Sequence, residues 1–409
     1  MTLPQDAQTA PRSESNFHAL IASFLGWTFD AFDFFVVVFL LSTLSKRFHV
    51  PESAVILTLT LTLAMRPVGA FLFGFLADRY GRRSLLMLNI LFYSIIEALC
   101  GFAPNYTVFL ILRTLYGITM GGEWGVGASL AMESVPQRWR GFFSGILQSG
   151  YPVGYLLAAV ATRVILPHWG WRWMFWAGAM PALLVFYILV RVPESAAWSK
   201  AIRPEARNTR AIFRTLAANL KNLAYLVVLM TLLMFLAHGS QDLYPDFLRA
   251  ERHFSIATVS YLAIFYNIGA ICGSIAFGYF SETFGRRRGM IAASLLSLAV
   301  IPLWVLSSSL VLIAAGAFLM QAGVQGAWGI IPAHLNEVSP DATRSLIPGL
   351  AYQLGILFAA PTPIIEYALG KKFGYGHAMA LFLAVTIIIG VVVISFGPEK
   401  RGKNFFENA

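Results

Sequence analysis

Cysteine is almost missing from this chain. Only Cys100 and Cys272 occur in 409 residues. Both lie in apolar runs, so they cannot anchor a disulfide framework and read as packing residues. Charge is scarce as well: Asp, Glu, Lys and Arg make up 12% of the chain, against 57% hydrophobic residues. A soluble domain carries about twice that charge. A soluble chain this apolar could not cover its surface with polar groups, which places the protein in a bilayer. The alternating strand pattern of an outer-membrane barrel is lacking. So are a Gly-rich phosphate loop, a metal-ligand cluster and a nucleophile–base pairing, which argues against an enzyme and against any cofactor or bound metal. The N-terminal residues to position 16 are polar, and the run that follows is too long for a signal-peptide core, so no cleavable signal is expected.

What the chain does have is length in its apolar runs. Twelve can each cross a bilayer, which takes about 20 residues. They cover 19–44, 53–77, 84–102, 107–131, 142–164, 172–190, 222–247, 256–280, 289–307, 310–334, 345–366 and 377–397, and are numbered here as spans 1 to 12. Backbone polar groups in lipid must be satisfied within the segment, so the fold class is an all-α membrane protein of twelve transmembrane helices. With both termini placed in the cytoplasm, twenty Lys and Arg fall on the inner side and eight on the outer. The positive-inside rule then sets the topology. The net charge of +10 therefore faces the cytoplasmic leaflet of the cell membrane and is not a nucleic-acid footprint. The expected division is a cytoplasmic tail at 1–16, a six-helix bundle at 17–190, a basic cytoplasmic linker at 191–221, a second bundle at 222–397 and a tail at 398–409. A short amphipathic helix on the membrane surface fits within the linker.

The two halves repeat each other. Gly74-Phe-Leu-Ala-Asp78-Arg79-Tyr-Gly81-Arg82-Arg83 returns, degenerate, as Gly278-Tyr-Phe-Ser-Glu282-Thr-Phe-Gly285-Arg286-Arg287. At the same shift of 204 positions, Gly122-Glu-Trp-Gly125 matches Gly326-Ala-Trp-Gly329. Glu133-Ser-Val-Pro136 likewise matches Glu337-Val-Ser-Pro340, and Arg140 matches Arg344. One register through several landmarks means duplicated halves.

With twelve spans, two halves and this loop motif, the chain resembles the major facilitator superfamily. Arg113-Thr-Leu-Tyr-Gly117-Ile-Thr-Met-Gly121 in span 4 fits that superfamily too. Gly26-Trp-Thr-Phe-Asp30-Ala-Phe-Asp33 and the terminal Gly397-Pro-Glu-Lys-Arg-Gly402-Lys are similar to the sialate:proton symporters. His238-Gly-Ser240-Gln241-Asp242 in span 7 resembles the signature of Jen-type monocarboxylate:proton symporters, with Met234, Ala237 and Asp246 departing from it. The resemblance implies two pseudo-symmetric six-helix bundles rocking around a midplane site. It also implies a small organic anion, most simply lactate or pyruvate, carried with protons as the coupling ion. Sialic acid, an aromatic acid, a dicarboxylate and organic-anion exchange are the alternatives. Membrane lipid is the other expected partner, and a monomer is the expected state.

Charged and polar groups within spans are costly and so mark function. Asp30 and Asp33 in span 1 and Arg113 in span 4 lie at matched depth. Arg113 is expected to pair with Asp33 and release it on protonation, with Asp30 as the other candidate carrier and Glu123 as a proton relay. His238 and Asp242 are four apart and share a helix face. With Gln241, Arg113, Gln148, Tyr151, Asn267, Gln321, Tyr352 and Gln353, they are the expected substrate-binding set. Arg66 is either an anion site or a tie to Glu123, and Glu97 reads as structural. The loop residues Gly74, Asp78, Arg79, Gly81, Arg82 and Arg83, with Glu282 and Arg286 in the repeat, resemble a gating latch. The N-terminal copy is expected to be the stronger, because Thr283 replaces Arg79.

Overall fold

A computed structural model describes residues 16–201 and 208–405. Tail residues 1–15 and 406–409 and linker positions such as Arg203 and Arg207 lie outside the described residues. Every predicted run is helical, and among the described residues there is no strand. Six spans are single uninterrupted α-helices: Glu52–Tyr80, Arg82–Phe102, Tyr106–Ser134, Ile256–Phe284, Leu310–Val338 and Tyr375–Phe396. Eleven helical stretches are long and apolar enough to cross a membrane. The remaining one is Tyr106–Ser134, 29 residues long but interrupted by Arg113, Glu123 and five glycines. It lies inside the bundle, where apolarity toward lipid is not required.

The other spans break, and the breaks divide long helices into segments. Span 1 is Asn16–Phe39 followed by Leu41–Phe48. Span 5 is Arg140–Gln148 and Gly150–Trp169, and span 6 is Trp171–Gly178 and Ala182–Arg191. Span 7 is Leu220–Gln241 and Tyr244–Ala250. Span 9 runs Arg286–Ile301 into a π-turn, and span 11 is Leu346–Ala359 and Thr362–Phe373. Pro181, Pro302 and Pro361 stand at three of the breaks, each lacking the N–H that would continue the ladder. The helices outrun the apolar stretches by several residues, as at Lys371 and Lys372, because charged ends can reach the interface while the backbone stays helical. The linker holds the amphipathic helix Thr209–Ala218.

Glycine sets how closely helices cross. In the N-terminal half a Cβ on Gly69 would lie 1.7 Å from the Ile118 carbonyl oxygen, and one on Gly117 would lie 2.2 Å from that of Thr62. Spans 2 and 4 therefore touch backbone to backbone, as small residues allow in lipid. The halves meet the same way at the end that carries the Arg-rich loops, called here the basic end. A Cβ on Gly145 would lie 2.3 Å from the Ser274 carbonyl oxygen, and one on Gly125 would lie 2.8 Å from Gly349 Cα. Overpacking such a contact costs about 1–3 kcal/mol. Gly145→Val is therefore expected to open the basic end and raise thiol labelling of Ser129→Cys about tenfold or more, in a chain with Cys272→Ser. In the parent, Ser129 is buried and its hydroxyl is 2.7 Å from that of Ser345. Unchanged labelling would show that this crossing does not hold the halves closed.

Candidate functional site

Between the halves lies a cavity of about 320 Å³. Its wall takes Phe34, Phe35 and Val38 from span 1, Leu63 and Arg66 from span 2, and Gln148 and Tyr151 from span 5. Met234, Ala237, His238, Gln241 and Asp242 come from span 7, and Gln325, Trp328, Tyr352 and Ile356 from spans 10 and 11. Aromatic rings build its base. Trp124 stacks on Tyr352 with centroids 4.2 Å apart, and Trp27 and Trp328 meet the same ring edge-on at 5.9 and 5.5 Å. The Trp124 indole donates to Gln148 Oε1 at 3.3 Å.

One cation stands unbalanced in this wall. Nε and Nη2 of Arg66 are buried with no hydrogen-bond partner among the described residues, and no ion pair joins Arg66 to Glu123. The tie to Glu123 that the sequence also allowed is not made. His238 and Asp242 pair with each other at 3.1 Å. Gln241 donates to Gln321 at 2.8 Å, and Gln321 donates to Ser240 at 3.0 Å. Gln321 therefore stands behind the cavity and orients Gln241.

Next to the cavity, inside the N-terminal half, four carboxyl groups and an arginine are shut away from solvent: Asp30, Asp33, Glu97, Glu123 and Arg113. The expected Asp33–Arg113 pair is corrected here. Arg113 Nη1 bonds Glu97 Oε2 at 2.7 Å, and its guanidinium lies 4.1 Å from the Tyr116 ring centroid. Glu97, read from sequence as structural, is its true partner, because span 3 packs on span 4 at this level. Both oxygens of Asp33 and both of Glu123 are buried without a partner. Glycines make the room: a Cβ on Gly178 would lie 2.2 Å from Asp33 Oδ1, and one on Gly26 would lie 2.6 Å from Glu123 Oε1. Arg66 is within electrostatic reach of Asp30 and Glu123, so one residue faces both the cavity and the acid cluster.

The remaining predicted residues separate into layers. Arg113 is not at the cavity and cannot touch a ligand there. Asn267 turns its amide onto the Ala263 carbonyl of its own helix at 2.8 Å. Gln353 donates across the interface to the Gly121 carbonyl at 3.3 Å. Arg66 is the wall residue whose function the sequence left open. Glu366, fully buried in span 11, escaped notice altogether. Its signal was a lone carboxylate in an otherwise apolar stretch.

The basic end is closed by two matched ionic clusters. Asp78 accepts from the backbone N–H groups of Ser345 and Leu346, both at 3.0 Å, an acid at the start of a helix in the other half. Arg82 bridges Asp78 at 3.1 Å and Glu133 at 3.3 Å, and Arg344 reaches Glu133 at 3.0 Å. In the repeat, Glu282 accepts from the Gly141 N–H. Arg286 bridges Glu282 at 3.2 Å and Glu337 at 2.9 Å, and Arg140 reaches Glu337 at 3.1 Å. The Phe405 ring sits between Arg140 and Arg344, 3.8 Å from each guanidinium carbon. Gly74 lets span 2 approach Leu346, whose Cα would lie 2.8 Å from an added Cβ. Gly81 takes φ +113 and Gly285 +98, a region that side chains disfavour. Arg83 bonds the Leu189 carbonyl at 2.6 Å. Arg79 bonds Thr209 in the linker at 2.6 Å and takes no part in the cluster. Its replacement by Thr283 therefore removes nothing from the second copy. The hydrogen bonds that join the halves among the described residues gather on this side of the cavity.

Comparison with known proteins gives the same architecture. The sequence model of the Major Facilitator Superfamily matches residues 23–244 and 227–408. A carboxylic acid transporter protein homolog of Saccharomyces cerevisiae is 31% identical over 94% of this chain and 68% of its own length. The sialic acid transporter NanX of Escherichia coli is 27% identical over 94% of each chain. Among solved structures, the proton:xylose symporter XylE superposes with a TM-score of 0.79 over 97% of this chain and 99% of that one, at 18% identity.

Proposed function

The chain belongs to the Major Facilitator Superfamily, and from that premise we propose a proton-coupled symporter that imports a small monocarboxylate, such as lactate or pyruvate, by alternating access. It is a multi-pass membrane transporter of organic acids and not an enzyme. By the positive-inside rule the basic end is cytoplasmic, in the cell membrane. The clusters at Asp78 and Glu282 then hold the inner side shut, so the cavity serves the outer face.

The observation that carries this reading is the charge balance around Arg66. The buried cluster of Asp30, Asp33, Glu97 and Glu123 beside the cavity has two guanidinium groups close to it among the described residues, Arg66 and Arg113. Unpaired buried charges are costly, so the cluster reaches neutrality by binding protons. When an anionic carboxylate docks on Arg66, the acids beside it lose the attraction of that cation and hold protons more firmly. Substrate and proton then enter together, and the membrane potential does not oppose uptake. One cation in the wall without a hydrogen-bond partner for two of its nitrogens among the described residues suits a single carboxylate. The aromatic base of the cavity favours a second cargo, a carboxylate that carries a ring.

Uptake of labelled lactate into proteoliposomes under an imposed inward proton gradient tests the proposal. Accumulation that follows the gradient is expected. Uptake that ignores the gradient but needs internal anion would establish exchange instead. His238→Ala breaks the pair that sets Asp242 and is expected to weaken directly measured lactate binding by about fivefold to tenfold, as befits a half-exposed hydrogen bond. Unchanged binding would move the site away from span 7.

A further inference from the structure

We propose that Glu366 is a second proton-carrying group, housed in the C-terminal half, which takes up and releases one proton in each transport cycle. The inference rests on the symport reading above. Glu366 lies in Thr362–Phe373, the outer segment of span 11, shortly after the break at Ala360 and Pro361. It is fully buried, and neither carboxyl oxygen has a hydrogen-bond partner among the described residues. Span 7 makes space for it at Gly239, where an added Cβ would lie 3.2 Å from Glu366 Oε1 and 2.7 Å from the ring of Phe382 in span 12. The carboxyl group is thus enclosed between spans 7 and 12, behind the cavity wall.

No Lys or Arg among the described residues pairs with it. From span 7 the titratable neighbours are His238 and Asp242, which flank Gly239 and pair with each other at 3.1 Å. Span 12 presents Phe382 at this level. Its titratable residues Tyr375 and His377 lie at its start, where Tyr375 packs against Gly370. On the segment itself Tyr367, Lys371 and Lys372 point outward and are exposed. A charge sealed in this position would be costly, whereas the neutral acid is tolerated. A carboxyl that makes no bond also holds nothing together.

Position supplies the use. Span 7 breaks after Gln241 and span 11 breaks before Thr362, and helix breaks are where packed segments bend as a transporter rocks. Bending at either break re-seats the contact between Gly239 and Glu366 and admits water. The acid then gives up its proton toward Asp242, an exposed carboxylate on the cavity wall within its electrostatic reach.

The test is the proton-to-carboxylate ratio of the purified full-length protein in proteoliposomes, read with a trapped pH indicator and labelled lactate. Glu366→Gln is expected to keep lactate counterflow and to carry one proton fewer per lactate, while Glu366→Asp keeps the wild-type ratio. An unchanged ratio in Glu366→Gln overturns this inference and leaves symport standing. A wild type that moves no protons with lactate overturns both. A second measurement needs no variant and no cargo. A hydrophobic carbodiimide, which attacks protonated carboxyl groups, should label Glu366 of the wild type at acid pH and progressively less as pH rises, read by mass spectrometry. Labelling that is absent or independent of pH overturns the inference even if Glu366→Gln does not fold.

Discussion

With Asp33→Asn, a pH gradient drives about tenfold less accumulation of the carboxylate per pH unit, while exchange of labelled for unlabelled carboxylate continues. Asparagine matches aspartate in shape, so the pocket beside Gly178, where Asp33 Oδ1 fills the place of a side chain, stays filled. What is lost is the ability to gain and lose a proton. Asp33 belongs to the acid cluster that shares Arg66 with the cavity through Asp30 and Glu123. In that cluster the presence of substrate and the binding of a proton are felt by one another. A gradient of one pH unit supplies about 1.4 kcal/mol per proton, enough for about tenfold accumulation. In the variant the Asp33 proton is lost, so the internal-to-external ratio at a gradient of one pH unit should fall by about tenfold. Counterflow needs no net proton movement and should remain within about twofold of wild type. Full accumulation by Asp33→Asn would shift the coupling role to Asp30 or Glu123, neighbouring buried acids that also have oxygens without a partner among the described residues.

Arg66→Gln should sharply weaken binding of the carboxylate. Nε and Nη2 of Arg66, in the cavity wall, are buried donors with no hydrogen-bond partner among the described residues. A charge-assisted hydrogen bond is worth about 1.5–3 kcal/mol, so the loss of affinity should be about tenfold to 150-fold, read by titration of the purified protein with lactate. The variant keeps the stem that packs the wall but offers only one neutral amide. Arg66→Lys should recover part of the affinity, because the charge returns without the forked donor geometry. Retained affinity in Arg66→Gln would place the anion elsewhere and would remove the link between cavity and acid cluster on which coupling depends.

The division between chain and fold follows from what a helix records. Hydropathy and repeat spacing are properties of one strand of sequence, so the spans, the duplication and the paired loop motifs could be read before any packing was known. The shared register even matched acceptors that pair alike in both halves, Asp78 with the Ser345 N–H and Glu282 with the Gly141 N–H. Periodicity also placed His238 and Asp242 on one face, and that face does line the cavity. Periodicity does not record which neighbour a face meets. Depth alone put Asp33 opposite Arg113, but the crossing of spans 3 and 4 gave Arg113 to Glu97 and left Asp33 unpartnered. Asn267 and Gln353 turned away from the cavity because one bonds its own helix and the other crosses to Gly121. Glycine contacts under 3 Å and breaks such as those in spans 7 and 11 rotate each segment by amounts that local sequence does not encode. Composition and spacing therefore determined by themselves that this is a duplicated all-helical membrane protein, and the family resemblance of its motifs implied a transporter. Only the tertiary structure decided that Arg66 faces the cavity and that Glu366 is enclosed without a partner among the described residues, because both depend on contacts between residues far apart in the chain.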